Sequence, residues 1–139
     1  MTSFDAGILW SAVVAAAPRH AEAHALVERF AGSRDVVVSE QTLIALYARL
    51  AAEGAGSAAR VIDWIRRNPA WRLVDVQSDR VQMNAVWEAV LAHGEDVATI
   101  ARRRLVQTLR RNGVTTFFTE EAAAFRQLGF DAAVDPYAE

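Results

Sequence analysis

Apolar residues along this chain fall into two patterns, short continuous runs and longer stretches with helical spacing. Residues 18–30 place apolar side chains three or four positions apart, which predicts an amphipathic helix that ends at Gly32. Residues 36–38 are three consecutive valines after Asp35, a β-branched run that predicts a buried strand. Ser39 follows this run and is expected to cap the next helix.

The same two patterns continue to the end of the chain. Further strands are predicted at residues 2–8, ending in a turn, and at residues 71–76, 115–118 and 130–134. Further helices are predicted from Ser39 to near Gly54, from Ser57 to the break at Asn68 and Pro69, from Ser78 or Asp79 to Gly94, and at residues 96–112 and 120–128. Because helices separate the strands, we expect crossover connections and an α/β protein with a mostly parallel sheet covered by helices.

Length and composition narrow the class of protein. A chain of 139 residues is long enough to bury a core, so residues 1–139 are expected to form a single domain. The absence of cysteine excludes a disulfide framework, a thiol nucleophile and cysteine-ligated metal sites. No apolar run approaches the roughly 20 residues that span a membrane, and the first residues do not resemble a signal peptide. We therefore expect a soluble, cytoplasmic protein without membrane partners.

The charge of the chain argues against non-specific binding along nucleic acid. The formal net charge is −2, and all 15 basic residues are arginine. A near-neutral protein lacks the broad positive field that attracts a phosphate backbone, but the net charge does not exclude a local basic patch. The arginines between residues 102 and 111 are the candidates for such a patch, with a solvated helix face as the alternative.

Polar residues at the ends of predicted strands are the candidates for a functional site, because ligands of a parallel α/β sheet bind outside the carboxyl ends of its strands. The candidates are Asp5, the turn at residues 39–41, and residues 119–121. Each has a structural alternative. Asp5 can cap the end of a strand, and Glu40, Glu120 and Glu121 can complement a helix dipole from the first turn.

Several motifs occur in a shared order along the chain. They are FDAGILW at residues 4–10, PRHA at 18–21, VVS at 37–39 before the stretch 43–47, RNGV at 111–114 before residues 118–119, and the tail at 125–130 and 135–136. Together they resemble the PIN domain, specifically the VapC-type toxin ribonucleases, over essentially the whole chain. The resemblance implies a PIN-like three-layer α/β sandwich, with a mostly parallel central sheet and helices on both faces.

The resemblance also implies an activity, a cofactor and partners. Enzymes of this family hold one or two Mg²⁺ or Mn²⁺ ions with three or four carboxylates, and the ions position and activate water to cleave RNA. The chemistry explains the acids, because hard divalent cations prefer oxygen ligands and two ions stabilise the attacking and leaving oxygens together. The implied partners are a cognate antitoxin, RNA and a second copy of the chain in a homodimer.

When each acid of the family is assigned to a position of this sequence, only some of these positions carry an acidic residue. The first corresponds to Asp5 and the fourth to Glu121, with Glu120 beside it. These three are the candidate catalytic residues, and Asp5 and Glu121 are the candidate metal ligands. The second acid falls on Ala45 and the third on Arg102. One ligand is therefore lost, and another position has reversed its charge.

Arg102 is predicted to take the place of a metal ion. At about 100° per residue, Arg102 leans toward the body of the protein, whereas Arg103 points to the solvated face. The guanidinium of Arg102 is expected to pair with Asp5, and also with Glu121, because its two-pronged geometry fits carboxylates. Metal-dependent cleavage is then expected to be weak or absent. Arg103 and Arg110 are the residues predicted to contact RNA.

Three functional classes stay open. In the preferred one, the chain keeps the fold but not efficient catalysis, requires no cofactor and acts by binding RNA or protein. In the second, it is an active Mg²⁺- or Mn²⁺-dependent ribonuclease toxin. Its metal ligands are then Asp5 with Glu120 or Glu121, and Glu40 is a further candidate ligand. In the third, the scaffold serves neither role. The place of Arg102 between the carboxylates distinguishes the first two classes.

Two further predictions concern histidine and tryptophan residues. His20 and His24 lie four positions apart on one predicted helix, but without acids in a suitable pattern they predict no zinc site. Trp64, Trp71 and Trp87 fall on apolar faces and are predicted to lie in the core.

Overall fold

The computed structural model describes residues 1–54, 56–74 and 80–138, and within these ranges the chain alternates short strands with helices. In chain order the elements are β1 (Thr2–Phe4), α1 (Ala6–Val13), α2 (His20–Phe30), β2 (Val37–Ser39), α3 (Glu40–Ala52), α4 (Ala58–Arg67), β3 (Arg72–Val74), α5 (Arg80–His93), α6 (Val97–Arg111), β4 (Thr116–Phe118), α7 (Ala122–Gln127) and β5 (Ala133–Val134). None of these helices is long and apolar enough to cross a membrane.

All strand pairs in the described part of the chain are parallel. β4 pairs with β1 on one side and with β5 on the other, and β2 pairs with β3. A parallel bridge between Thr2 and Val36 places β2 beside β1, so the strands follow one another as β3-β2-β1-β4-β5. The strand order reverses between β1 and β4, and at such a switch point an open α/β sheet leaves a crevice for ligands.

Helices cover both faces of this sheet. Phe4 and Val38 belong to a buried cluster with side chains of α1 to α4, whereas Val37 and Phe117 belong to a second cluster with side chains of α6 and α7. Neighbouring residues of β2 enter opposite clusters because successive side chains of a strand point to opposite faces. The predicted α/β architecture, a parallel sheet between two helical layers, is confirmed.

The first predicted strand is shorter than expected. It ends at Phe4, and residues 6–13 form α1 instead of continuing the strand to residue 8. Asp5 decides this, because its Oδ1 accepts a hydrogen bond from the Ala6 amide at 2.9 Å, as the N-cap of a helix does. The buried side chains of α1 recur with helical spacing. In a short and mostly apolar run this spacing cannot be distinguished from the pattern of a buried strand.

The other elements lie close to their predicted positions, although the last strand covers only Ala133–Val134 of the predicted residues 130–134 and the last helix begins at Ala122 rather than at residue 120. Ser39 caps α3 as predicted, by accepting a hydrogen bond from the Thr42 amide at 3.1 Å. Ser57 precedes α4, but its side chain makes no capping hydrogen bond. Residues 75–76 of the third predicted strand and the candidate caps Ser78 and Asp79 lie outside the described residues.

Two of the three tryptophans that were predicted to be core residues lie at the surface. Trp71 is 5% exposed and stacks on Phe4. Trp64 and Trp87 are 53% and 48% exposed, so the prediction is wrong for both. Helical periodicity indicates which side chains share a face, but it does not indicate whether another element covers that face.

Candidate functional site

The carboxylate of Asp5 lies at the switch point of the sheet. Asp5 directly follows β1 and Thr119 directly follows β4, so two adjacent parallel strands bring them together. The Thr119 hydroxyl donates a hydrogen bond to Asp5 Oδ2 at 2.7 Å, and the Ala6 amide donates to Oδ1 at 2.9 Å. Each oxygen of the carboxylate therefore has a fixed donor, and these two contacts orient the side chain.

Burial raises the pKa of Asp5 above its ordinary value. Desolvation is the largest cause, because a carboxylate removed from water loses hydration of its charge. The hydrogen bonds from Thr119 and Ala6 lower the pKa, the negative charge of Glu121 raises it, and the positive charge of Arg102 lowers it. A carboxyl group with a raised pKa at a sheet switch point is typical of a functional site.

Arg102 reaches from α6 to the segment after β4 and pairs with Glu121. Its Nε and Nη2 atoms donate to Oε2 and Oε1 of Glu121 at 3.3 and 3.1 Å, the two-pronged geometry of a guanidinium on a carboxylate. The Glu121 amide donates to the Thr119 hydroxyl at 3.0 Å. Thr119 therefore links Asp5 to the residue that holds Arg102.

The pairing predicted for Arg102 is found with Glu121 and not with Asp5. Across the described ranges, no ion pair of 4.0 Å or less joins Arg102 to Asp5. Arg102 acts on Asp5 only as a nearby positive charge that lowers its pKa. The guanidinium binds the exposed carboxylate of Glu121, while the half-buried carboxylate of Asp5 keeps its hydrogen bonds to the Ala6 amide and the Thr119 hydroxyl.

Four positions selected from the sequence line one cleft of about 260 Å³. These positions are Asp5, Ala45, Arg102 and Glu121. The side chain of Ala45 brings no ligand atom to the α3 wall of the cleft, where Gln41 and Thr42 are the polar lining residues. The parallel topology brings these residues together, because it places α3, α6 and the ends of β1 and β4 around one crevice.

Two acids that the sequence offers as further ligands do not line this cleft. Glu120 is exposed, and its charge adds to the burial that raises the pKa of Tyr137. Glu40 is exposed in the first turn of α3, where a carboxylate complements the helix dipole. Glu121 is therefore the acid that accompanies Asp5 in the cleft.

Gln41 is a polar residue of the cleft that the sequence did not single out beyond its place in the turn at residues 39–41. Its Nε2 donates to the Ala101 carbonyl of α6 at 2.8 Å. Its Oε1 is buried and has no hydrogen-bond partner among the residues that the structure describes. Gln41 lies four positions before Ala45 on the same face of α3, and this spacing was the signal that could have identified it.

The two arginines predicted to contact RNA are both engaged within the protein. Arg103 is half-buried rather than on a solvated face, because its guanidinium pairs with Glu95 through two hydrogen bonds. Arg110 donates to the Gly129 carbonyl at 2.6 Å and lies over the ring of Phe130. RNA contact by Arg103 and Arg110 stays a prediction.

The cleft holds two carboxylates, fewer than the three or four that the family resemblance implies for a Mg²⁺ or Mn²⁺ centre. Such a cation needs several oxygen ligands, and carboxylates supply the compensating charge. The cleft offers two carboxylates, Asp5 and Glu121, and Arg102 engages the second. Among residues 1–54, 56–74 and 80–138, no three His, Cys, Asp or Glu side chains lie together as a metal-binding group. The guanidinium also repels a cation.

Comparison with solved structures identifies the class of fold. The crystal structure of VapC20 from Mycobacterium tuberculosis, described as a Sarcin–Ricin loop cleaving toxin, matches this chain with a TM-score of 0.72. The match covers 95% of this chain and 98% of that one at 19% sequence identity, so it establishes a shared fold. The architecture is that of the PIN domain. No protein-family model matches the chain.

Sequence comparison then identifies the family. Ribonuclease VapC24 of Mycobacterium tuberculosis, in strains H37Rv and CDC 1551 / Oshkosh, is 37% identical over 149 aligned positions, which cover 98% of this chain and 97% of the relative. This chain belongs to the VapC-type ribonuclease toxins of the PIN-domain class, as its motifs indicate. VapC ribonucleases are generally metal-dependent, and VapC toxins pair with VapB antitoxins.

Proposed function

We propose that this chain is a VapC-type protein with weak or absent metal-dependent RNA cleavage, which acts by binding RNA or a protein partner. The observation that carries the proposal is the ion pair between Arg102 and Glu121 inside the cleft. The metal centres that the family resemblance implies use three or four carboxylates at this place, because hard cations prefer oxygen ligands. In this cleft the positively charged guanidinium of Arg102 instead pairs with Glu121, one of the two acids.

A guanidinium cannot replace a metal ion in the chemistry of cleavage. It neutralises carboxylates, but it has no open coordination position and does not lower the pKa of a bound water. Glu121 raises the pKa of Arg102, so the arginine stays charged. Arg102 therefore holds α6 against the segment after β4 without generating a nucleophile.

Restoring the missing acids tests the proposal. RNA cleavage in Mn²⁺ is compared for the wild type, Arg102→Asp and the double variant Ala45→Glu/Arg102→Asp. We expect weak or no cleavage by the wild type and a gain of about tenfold or more in the double variant, because a bound metal ion stabilises transition-state charge by several kcal/mol. A further Asp5→Ala change should remove the gain.

The matched control is Arg66→Asp, which reverses the charge of an exposed arginine that pairs with Asp63 on α4. Arg66 does not line the cleft and is not among the predicted RNA contacts, so this variant should leave cleavage unchanged once circular dichroism confirms its fold. Calorimetry with Mn²⁺ gives a second measurement. Tight binding to the wild type that is lost in Asp5→Ala contradicts the proposal.

An active Mg²⁺- or Mn²⁺-dependent ribonuclease toxin is the second candidate. Asp5 and Glu121 line the same cleft, and the charge of Glu121 raises the pKa of Asp5, which favours two acids acting together. Glu120 could join them only by turning from its exposed position. Cleavage by the wild type that Asp5→Ala abolishes would decide for this candidate.

A VapB-type antitoxin is the protein partner that we propose for the chain. A groove of about 490 Å³ between α1, α2 and α4 has a mostly apolar lining, and Trp64 forms part of its wall while half-exposed. Exposed apolar surfaces of this kind mark protein contacts, and tryptophan is enriched among the residues that dominate binding. We expect Trp64→Ala to weaken binding of the antitoxin from the chain's own module by about tenfold or more.

Trp87 provides the matched control for this experiment. It is also half-exposed, but it lies on α5 and does not line the groove. Trp87→Ala should therefore retain antitoxin affinity, and an equal loss in both variants would contradict the proposed surface. The homodimer implied by the resemblance also stays a proposal, which the sedimentation mass of the purified chain checks.

A further inference from the structure

The acidic cleft, lined by Asp5, Arg102 and Glu121, also contains an unused hydrogen-bond acceptor. Gln41 lines this cleft, and its Oε1 is buried without a hydrogen-bond partner among the residues that the structure describes. The orientation of the amide is fixed, because Nε2 donates to the Ala101 carbonyl at 2.8 Å and a carbonyl oxygen only accepts. Turning the amide over would place two oxygens against each other. Oε1 is therefore available to accept a hydrogen bond.

A ligand that fills the cleft comes within reach of this oxygen. Gln41 is half-buried and lies in the first turn of α3, at the wall of the cleft. The last torsion of a glutamine side chain has a broad range, so Oε1 can turn slightly toward a donor without a change of rotamer. Thr42 is the other polar residue of this wall, but its hydroxyl already lies 3.0 Å from the Ser39 hydroxyl. Gln41 is therefore the residue of α3 that is best placed to bind a donor group.

Apolar side chains form the rest of the lining of the cleft. They belong to Ala45, Ala98, Ala101, Leu105 and Phe125. The three on α6 are spaced three and four residues apart, which places them on one face of that helix. A flat aromatic ring buries apolar surface against walls of this kind, whereas a chain of charged groups does not. The walls of the cleft therefore favour an aromatic ring as the ligand.

The charges of the cleft decide which part of a nucleic acid can enter it. Two carboxylates accompany one guanidinium, so negative charge is in excess and repels phosphate. A cationic side chain is also disfavoured, because Arg102 repels it and already pairs with Glu121. The two hydrogen bonds to Glu121 use two of the five N–H groups of Arg102, and the others can donate to a neutral ligand. These features favour a neutral ring that carries both a donor and an acceptor.

We propose that the acidic cleft binds one unpaired RNA base that carries an exocyclic amino group, and that Gln41 recognises this group. The inference rests on the proposed binding of RNA. Adenine and cytosine each have an amino donor next to a ring nitrogen that accepts, and proteins read such edges on unstacked bases. The amino group donates to Oε1 of Gln41, and the ring nitrogen accepts from Arg102. Gln41 is then a specificity-determining residue, because a base without the amino group leaves its buried oxygen unpaired.

Binding of short single-stranded RNA by the full chain, measured by fluorescence anisotropy, tests the proposal. A chelator prevents metal-dependent cleavage during the measurement. RNA containing adenine is compared with the same RNA containing unsubstituted purine, and RNA containing cytosine with the same RNA containing pyrimidin-2-one, so that each pair differs only by the amino group. We expect the wild type to bind an amino-bearing RNA about five- to tenfold more tightly than its amino-free partner, as the loss of one hydrogen bond predicts.

Two substitutions of Gln41 separate its oxygen from its other contact. Gln41→Leu removes the acceptor and should abolish the preference for the amino group. Gln41→Glu also loses the hydrogen bond to the Ala101 carbonyl, but it keeps an oxygen that accepts and should retain the preference. Circular dichroism checks that both variants are folded. The affinities of the variants for the paired RNAs form a double-mutant cycle, which measures the coupling between the amino group and the side chain.

Gln107→Leu is the matched control. Gln107 lies on α6, its Nε2 donates to the Gln82 carbonyl at 3.0 Å, and its Oε1 is buried without a hydrogen-bond partner within the described ranges. Because it does not line the acidic cleft, Gln107→Leu should keep the preference for the amino group.

The possible failures of this experiment are distinguishable. Equal binding of the amino-bearing and amino-free RNAs by the wild type would overturn the inference and leave RNA binding intact. A preference that survives in Gln41→Leu, or that is lost equally in Gln41→Glu or Gln107→Leu, would also overturn the role of the Gln41 oxygen. If the wild type binds none of the RNAs, the proposed binding of RNA fails together with the inference, and a protein remains as the partner.

Discussion

The burial of Asp5 disfavours the charged form of its carboxyl group. Its pKa is raised chiefly by burial, so the folded protein binds the proton more tightly than the unfolded chain does. Below the pKa of the unfolded chain, Asp5 is protonated in both states and has no effect on stability. As the pH rises through the unfolded pKa and then the folded pKa, the free energy of unfolding falls, and above both values the full cost remains.

Asp5→Asn is expected to raise the free energy of unfolding at neutral pH. The asparagine keeps an oxygen for the Ala6 amide, its Nδ2 can donate to the Thr119 hydroxyl, and it has no charge to bury. The difference from the wild type should shrink as the pH falls toward the ordinary pKa of a carboxyl group, where Asp5 is protonated. Urea unfolding at a series of pH values measures this difference.

The exposed Asp131 supplies a control for the same measurement. Asp131→Asn removes a carboxylate outside the cleft, so its effect on stability should be small at every pH. If the advantage of Asp5→Asn instead grew as the pH fell, burial would not be the main influence on this carboxyl group.

At the scale of elements, the start of α3 contributes to the cleft because this helix carries Gln41 and Ala45. The buried Ser39 fixes the first turn by accepting a hydrogen bond from the Thr42 amide, and its hydroxyl lies 3.0 Å from the Thr42 hydroxyl. Ser57 occupies the corresponding position before α4 without a side-chain capping bond. Two serines at similar places in the sequence therefore have different structural roles.

Ser39→Ala is expected to lower the free energy of unfolding by about 1 kcal/mol, the usual cost of removing a capping side chain. Ser57→Ala should have a much smaller effect because its hydroxyl makes no such bond. Urea unfolding of both variants under one condition makes the comparison. Equal losses in the two variants would show that the hydrogen bond to Thr42 is not the source of the effect.

For the molecule as a whole, the parallel strand order separates two candidate functional surfaces. The reversal between β1 and β4 creates the acidic cleft, and the packing of α1, α2 and α4 on one face of the sheet leaves the apolar groove. Because the surfaces share none of their lining residues, variants of Asp5 and Trp64 test them separately. RNA cleavage reports on the cleft, and binding of the antitoxin reports on the groove.

The sequence by itself determined the α/β class, most of the elements and the positions around the cleft. Helical and strand periodicities are local properties, and in a parallel sheet the residues after strands meet at one edge, so Asp5 and Glu121 could be selected before their distance was known. The failures at α1 and at the exposed Trp64 and Trp87 have separate causes. A short apolar run fits a strand or a helix, and periodicity does not reveal what covers a face.

Only the tertiary structure decided which groups interact. Arg102 binds the exposed Glu121 rather than Asp5, whose half-buried carboxylate accepts a hydrogen bond from Thr119, the residue after the adjacent strand β4. The anchoring of His20 and His24 through carbonyls of α1 likewise depends on how α1 packs against α2. Hydrogen bonds saturate and require specific distances, so competition among neighbouring donors and acceptors is settled by the packing of distant segments and not by their spacing in the sequence.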